Sequence, residues 1–248
     1  MEQIEQPEKP HEIEYLWVVF QNELSLQDIP LFRKAIIDTY QTPDSLLHQH
    51  EENKLIHRYP QIQYKNYRNK AAVFCVNDGI SIFQKFLASE HWNLSFQSLQ
   101  MNLDLDVINF RRHKLFVWNS MFDQTIKNWL PFNKDNYREY QKLIRQTDKL
   151  MYLENLLKLN IFAVCKNLGY TPKERIQVEI TSNPKESPCT FKDLTMMNYS
   201  FQFRCNVILP ENIGVGKAVS HGYGKVNRKY VPKQFRETAA QENEYSHV

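Results

Sequence analysis

The chain has 248 residues, enough for one large or two small domains, and its 42% hydrophobic content is ordinary for a protein with a real core. No run of eighteen apolar residues occurs, which excludes a membrane-spanning helix, and the opening MEQIEQPEKPHEIEY lacks the apolar stretch of a secretory signal. The net charge of +3 is unevenly spread: residues 1–14 carry −4 and residues 237–248 carry −3, leaving +10 on the body between them, which favours a polyanionic partner.

In chain order, Tyr15–Phe20 (YLWVVF) is apolar on both faces and predicts a buried strand. Phe32, Ile36 and Tyr40, with Ile29 and Ile37 beside them, predict a helix that Asp28 can cap and Pro30 can open. QIQYKNYRNKAAVFCVN predicts a hairpin turning near Arg68, Asn69 and Lys70, with Tyr64 and Ile62 on one face and Lys65, Gln63 and Gln61 on the other. A short amphipathic helix follows Gly79. Leu99, Met101, Leu103, Leu105 and Val107 then alternate with polar residues as a half-buried strand. Strand, helix, strand, strand, helix, strand is the ferredoxin-like βαββαβ unit.

After a basic joint at Arg111–Lys114 the same order restarts. Leu115–Trp118 predicts a strand, and Leu150 to Leu168 predicts a long helix that Gly169 terminates. Ile176, Val178 and Ile180 predict a strand, NPKESPC a turn, and Tyr199 to Leu209 a long alternating strand. A last strand is expected at Lys225–Val231, with the second helix missing or very short. The fold class expected is therefore α+β, a tandem of ferredoxin-like (RRM-like) domains. Their spans are 15–110 and 111–236, between acidic tails at 1–14 and 237–248, with a glycine-rich loop at 212–226.

The four cysteines, Cys75, Cys165, Cys189 and Cys205, form no CxxC pair, so neither a zinc ribbon nor a thioredoxin-type site is expected. Cys75, Cys165 and Cys205 read as small buried hydrophobes of a reducing cytosol. Four of the six glycines, Gly214, Gly216, Gly222 and Gly224, fall in NIGVGKAVSHGYGKV. A Walker A loop fails there, because Gly224-Lys225 is followed by Val226. A dinucleotide GxGxxG fails too, with Val219 and Asn227 where a third glycine belongs. What stays open is backbone capture of phosphates, helped by Lys217, Ser220, His221 and Lys225, against a plain glycine hairpin.

The second informative stretch, SLLHQHEENKLIHRYPQIQYK, holds His48, His50 and His57. In an extended segment the His48/His50 spacing puts both rings on one side, suited to acid–base chemistry near neutral pH. The competing reading is an exposed polar loop. A metal is not expected, since no third ligand is apparent. Arg58, Tyr59, Tyr64, Lys65, Tyr67, Arg68 and Lys70 supply cations and rings of the kind that bind phosphates and bases.

Together these stretches resemble the CRISPR-associated RAMP endoribonucleases that cut precursor CRISPR RNA within its repeats. Gly214, Gly216, Gly222, Tyr223 and Gly224 fit that family's C-terminal GxGxxxxxGxG loop. His48-Gln49-His50 followed by Tyr59-Pro60-Gln61-Ile62-Gln63-Tyr64-Lys65 fits a branch with a His-x-His pair and a YPxIQYK segment. Gln61 departs from a position where an apolar residue is common, and His221 from one where Ser, Arg or Leu is frequent. The resemblance implies a tandem ferredoxin-like fold and metal-independent, cofactor-free cleavage of repeat RNA by 2′-OH attack. It implies His48 and His50 as the acid–base pair, Lys65 as charge for the phosphate, and His57 or Tyr59 as groups that orient the RNA. RNA binding then falls to Arg58, Gly214, Gly216, Lys217, Ser220, His221, Gly222, Tyr223, Gly224 and Lys225. A CRISPR effector complex and a homodimer stand beside repeat RNA as expected partners, and the expected location is the prokaryotic cytoplasm. The alternative within the same fold is a non-catalytic RNA-binding subunit of an effector complex.

Overall fold

The computed structural model describes residues 10–40, 50–51, 54–55, 59–89, 92–97, 99–191 and 194–229. The first half runs β1 (His11–Glu23), α1 (Ile29–Tyr40), a two-stranded ribbon β2 (His50–Glu51) and β3 (Lys54–Leu55), then β4 (Ile62–Tyr67) and β5 (Lys70–Val76). It continues with α2 (Asp78–Leu87), a second ribbon β6 (Asn93–Phe96) and β7 (Leu99–Asn102), and β8 (Leu105–Leu115). Its four long strands pair in the order β4-β5-β1-β8, all neighbours antiparallel. That is the ferredoxin-like order the strand–helix pattern predicts, except that the strand expected at Leu99–Val107 is divided: Leu99–Asn102 pairs with β6, and the sheet strand begins at Leu105. The β4–β5 hairpin turns at Arg68 and Asn69, both in left-handed backbone (φ 53° and 63°), which matches the twist of a two-residue hairpin loop.

The second half runs β9 (Val117–Trp129), α3 (Lys134–Lys142), α4 (Gln146–Asn167), β10 (Val178–Ile180), β11 (Lys185–Phe191), β12 (Leu194–Val207) and β13 (Lys225–Arg228). Its sheet order is β10-β12-β9-β13, with β11 also pairing β12. Between β12 and β13, where a second ferredoxin helix would sit, the chain instead forms the glycine-rich loop.

Three expectations need correction. Glu12 and Glu14, read as tail, belong to β1, where both carboxylates reach the Arg112 guanidinium across the β1–β8 pairing. The rest of both acidic tails falls outside the described residues. The basic joint is the end of β8 rather than a linker. Its His113 is buried, with Nε2 donating to the Ile208 carbonyl at 2.8 Å, and burial pushes its pKa down to about 4. NPKESPC is not a turn: Lys185–Phe191 pairs with β12, and Pro188 sits on this outer strand, where a missing N–H costs no ladder bond.

Alternation along β1 divides the core in two. Leu16, Val18 and Phe20 join α1, α2 and β4 in a cluster confined to the first half. Tyr15, Trp17 and Val19, with Ala72, Phe74 and Val76 of β5, face the other way. They form one cluster with α4 and the strands of the second half, including Ile126, Trp129, Leu157, Ile161, Phe201 and Phe203. The two halves therefore share a core. Truncating Phe74 to Ala should cost about 3–5 kcal/mol. In urea the Phe74→Ala variant should still unfold in one transition, seen alike by Trp17 and Trp129 through single-tryptophan proteins; separate midpoints would mean the halves are independent.

Candidate functional site: a strand clasped to the glycine loop

β4 is apolar on one side and polar on the other, yet both sides are covered. Ile62 and Tyr64 enter the first-half core, while Gln63 and Lys65 are fully buried facing the glycine loop. The Gln63 carboxamide oxygen accepts the Gly214 N–H at 2.8 Å. The Tyr59 hydroxyl donates to the Gly214 carbonyl at 2.7 Å. Both polar groups of one residue are thus held by side chains from YPQIQYK. Lys65 Nζ donates to the Val219 carbonyl at 3.2 Å, Lys225 Nζ reaches back to the Asn66 carbonyl at 2.7 Å, and Tyr64 and His221 form a parallel backbone bridge. Each such bond contributes about 0.5–1.5 kcal/mol net.

The loop is a packed element rather than an open cradle. Nine amides between residues 212 and 226 donate within the protein, among them Gly214, Lys217 to Leu130, Gly222 to Val219 and Gly224 to Asn128. The consecutive amides of Ala218, Val219 and Ser220 are not among these nine, so a phosphate nest of the kind the sequence suggests is confined to that short stretch. Two glycines are set by space as well as by dihedral. A Cβ on Gly224 (φ +64°) would lie 1.8 Å from the Val215 carbonyl oxygen, and one on Gly222 (φ +89°) 2.4 Å from Ile29 Cδ1. Backbone blocks a side chain at Gly224, while at Gly222 the ends of Ile29 and Leu26 would have to move and the positive φ adds strain.

The expected site residues separate accordingly. His48, His57 and Arg58 lie outside the described residues. His50 lies in β2, its backbone paired with Leu55 of β3. Lys65, expected to face a phosphate, is instead buried with its amine on Val219, and no carboxylate among the described residues pairs with it. Burial, and then the Lys225 charge, hold its pKa well below the usual lysine range. Gly222, Tyr223 and Gly224 are buried, as is Ser220, whose Oγ sits 3.1 Å from His221 Nδ1. Phe191 packs edge-on against His221. Gly216 and Lys217 line an open cleft on the far side of the loop.

Sequence reasoning missed the role of Gln63, although a polar pair alternating with Ile62 and Tyr64 was the available signal. It also missed how the hairpin end is built. Tyr67 meets the Trp17 edge at 5.5 Å and carries the Arg68 guanidinium 5.3 Å and the Lys225 ammonium 5.7 Å from its ring centre. This cation–aromatic surface, with exposed Lys127 close enough to depress Lys225, is suited to a polyanion that presents rings.

Two lysines, Lys65 buried and Lys225 half-buried, make the clasp sensitive to pH. Burial lowers the Lys225 pKa to about 8, and that of Lys65 falls well below its normal value. Where the unfolded chain holds these protons and the folded chain does not, stability rises with pH, by up to about 1.4 kcal/mol per pH unit for each group. The lysine contribution to the urea midpoint should therefore climb between about pH 8 and pH 10, opposed above about pH 8.5 by the buried thiols of Cys75, Cys165 and Cys205, whose pKa values burial raises. Lys65→Met should flatten that climb; an unchanged slope would remove Lys65 from the linkage.

Comparison with known proteins agrees over nearly the whole described chain. The Cas6b N-terminal domain matches residues 11–114 and the Cas6b C-terminal domain residues 117–229. A crystal structure of Cas6b superposes with a TM-score of 0.79 at 25% identity, covering 88% of this chain and 100% of that one. A second, described as the CRISPR RNA processing endoribonuclease Cas6b, gives a TM-score of 0.67 at 23% identity over 88% and 100% of the two chains, and speaks for the fold. An uncharacterised protein of Methanocaldococcus jannaschii is 30% identical over 103 residues, 42% of this chain and 69% of that protein. With both domains matched in order and little left over between them, the chain belongs to the Cas6b family.

Proposed function

We propose that this protein is an endoribonuclease that cleaves CRISPR repeat RNA without a metal ion, generating guide RNAs. The observation that carries the reading is the fastening of Tyr59, Gln63 and Lys65 to the glycine loop. It ties the segment that follows the two histidines to the element most distinctive of the family. The reaction begins with a base removing the proton of the ribose 2′-OH. The 2′-oxygen forms a bond to phosphorus, the bond from phosphorus to the 5′-oxygen breaks, and an acid protonates that leaving oxygen. The products are a 2′,3′-cyclic phosphate and a 5′-hydroxyl.

His50 serves as base or acid, with His48 as its counterpart or as a positioning group, imidazole being the side chain that gives and accepts protons near neutral pH. Tyr59 is a positioning residue, because its hydroxyl is committed to Gly214. Lys65 supports the loop from beneath instead of meeting the phosphate. Lys217 and Arg68, the latter lying over the Tyr67 ring, are exposed cations for the RNA backbone.

Excess EDTA should leave cleavage of the host's repeat RNA intact, and a single 2′-deoxy nucleotide just 5′ of the cut should block it. Loss with EDTA, or undiminished cutting of the deoxy substrate, overturns the mechanism. His50→Ala should lower the single-turnover rate by about 10²-fold or more. Tyr59→Phe removes only the donor to Gly214. It should slow cleavage by about 10-fold, as expected of a misplaced site, while leaving the shape of the pH–rate profile unchanged. A changed profile would make Tyr59 a proton-transfer group.

A further inference from the structure

The far side of the glycine loop from β4 is not closed. A cleft of about 270 Å³ opens between Gly216 and Lys217 of the loop, the start of α3, the outer turn of α4 and the ring of Tyr59. We propose that it is a pocket for one unstacked nucleobase of the bound RNA, reading a base that presents carbonyl oxygens, uracil above adenine. This rests on the RNA-processing reading above and names a specificity site for it.

Size comes first. The cleft lies just below the roughly 300–1,000 Å³ of pockets that enclose drug-sized ligands, which suits a single ring system. Its polar lining is made of three carboxamides, Asn133, Asn136 and Asn160, and one ammonium, Lys217, with no carboxylate among the lining residues. That set repels no phosphate-bearing chain and favours a ligand with oxygen acceptors.

The carboxamides are also oriented by their neighbours. The Asn160 oxygen accepts the Trp129 indole N–H at 3.1 Å, which leaves its NH₂ group as the half that can face a ligand. Asn133 caps α3, its oxygen taking the Asn136 N–H at 2.7 Å, so its NH₂ is likewise the remaining half. Donors from Asn160, Asn133 and Lys217, with the Asn136 carboxamide available to accept, complement the acceptor–donor–acceptor edge of uracil. Adenine offers one ring-nitrogen acceptor beside its amino group on either edge, so it pairs fewer of these donors than the two carbonyl oxygens of uracil.

The remaining walls are flat. Gly216 has no room for a side chain, since its Cβ would lie 2.6 Å from Trp129 Nε1, so the loop backbone itself forms the floor. The Tyr59 hydroxyl is tied to Gly214, which fixes its ring as a side wall on which a base can stack. Tyr59 is also the first described residue after the segment that carries the histidines.

The test is binding, kept apart from cleavage. Affinities of 2′-O-methyl oligouridylate, oligocytidylate and oligoadenylate of equal length, which cannot undergo 2′-OH attack, are measured on the full chain at fixed salt. The wild-type protein should prefer oligouridylate to oligoadenylate by about 10-fold, the size of one good base-edge contact. Asn136→Ala, and Asn160→Ala where it folds, should cut that ratio to under about twofold without changing oligoadenylate affinity. A 4-thiouridine oligomer should photo-crosslink to peptides of α3, α4 or the glycine loop. Equal affinity for all three oligomers, or a preference that both variants leave intact, overturns the pocket while leaving RNA binding standing. A Lys217→Met loss that is uniform across sequences, with no effect of the asparagine variants, also overturns it, because the cleft then holds a phosphate. Failure to bind any oligomer or the repeat RNA would instead remove the RNA-processing reading beneath it.

Discussion

The molecule turns on the way one residue is held. Gly214 gives its N–H to Gln63 and its carbonyl to Tyr59, so a residue late in the chain is fixed from both ends by side chains from the first half. A single contact would fix a distance; two contacts on opposite sides of one residue fix an orientation as well. Because all these groups are buried or nearly so, neither bond is shared with solvent, and releasing either partner would leave a desolvated polar group. The loop is thus carried by β4, and β4 is in turn the outer strand of the first sheet. The parallel bridge between Tyr64 and His221 continues that sheet by one contact, so the loop also covers an edge that would otherwise offer its backbone groups to another chain.

The concentration of glycine in this loop takes on a different meaning in this light. Glycine allows unusual dihedrals, and it also removes a side chain where two backbones must touch. Gly222 and Gly224 need both properties at once. Ala218 and Asn212 adopt left-handed backbone in the same loop without being glycine (φ 53° and 70°), so positive φ alone did not select the glycines. Close packing did, and a loop packed on all sides is rigid. Rigidity is what a positioning element requires, since small displacements at a reacting phosphate are costly.

How much of this was legible in the sequence follows from the range of the forces involved. The apolar run of β1, the alternation of β12 and the stripe of α4 are local signals, and the ferredoxin-like order of the elements could be read from them. The β4–β5 turn at Arg68 and Asn69 is equally local. The strand Lys185–Phe191 was hidden by Pro188, because whether a proline is tolerated depends on which side of the strand lacks a partner, and that is a property of the sheet. The glycine pattern and the two histidines marked the important stretches, yet the direction in which Lys65 points could not be known until something was placed against β4. Sequence spacing put Gln63 and Lys65 on one face correctly. It could not say that the face would be covered by a loop about 150 residues further along the chain. The asparagines of the cleft come from two places, Asn133 and Asn136 at the start of α3 and Asn160 in α4, brought together by the packing of those helices.

The use of lysine inside the clasp is the least economical choice in the structure. A buried amine has to shed its proton or carry an unpaired charge, and a hydrophobic residue of similar volume would avoid both costs. Lys65 nevertheless does what such a residue cannot: it reaches across the seam and donates to the Val219 carbonyl, which would otherwise be left without this donor. Lys225 does the reverse, crossing from the loop's side to the Asn66 carbonyl of β4. The two amines are thus reciprocal, each satisfying a main-chain oxygen on the opposite side. Their mutual repulsion adds to burial in lowering the pKa of Lys65. Apolar packing alone would hold the halves together but would tolerate sliding along the seam. A pair of crossed donors, each aimed at one carbonyl, admits one register of loop against strand, and that register is the one that presents Tyr59 to Gly214.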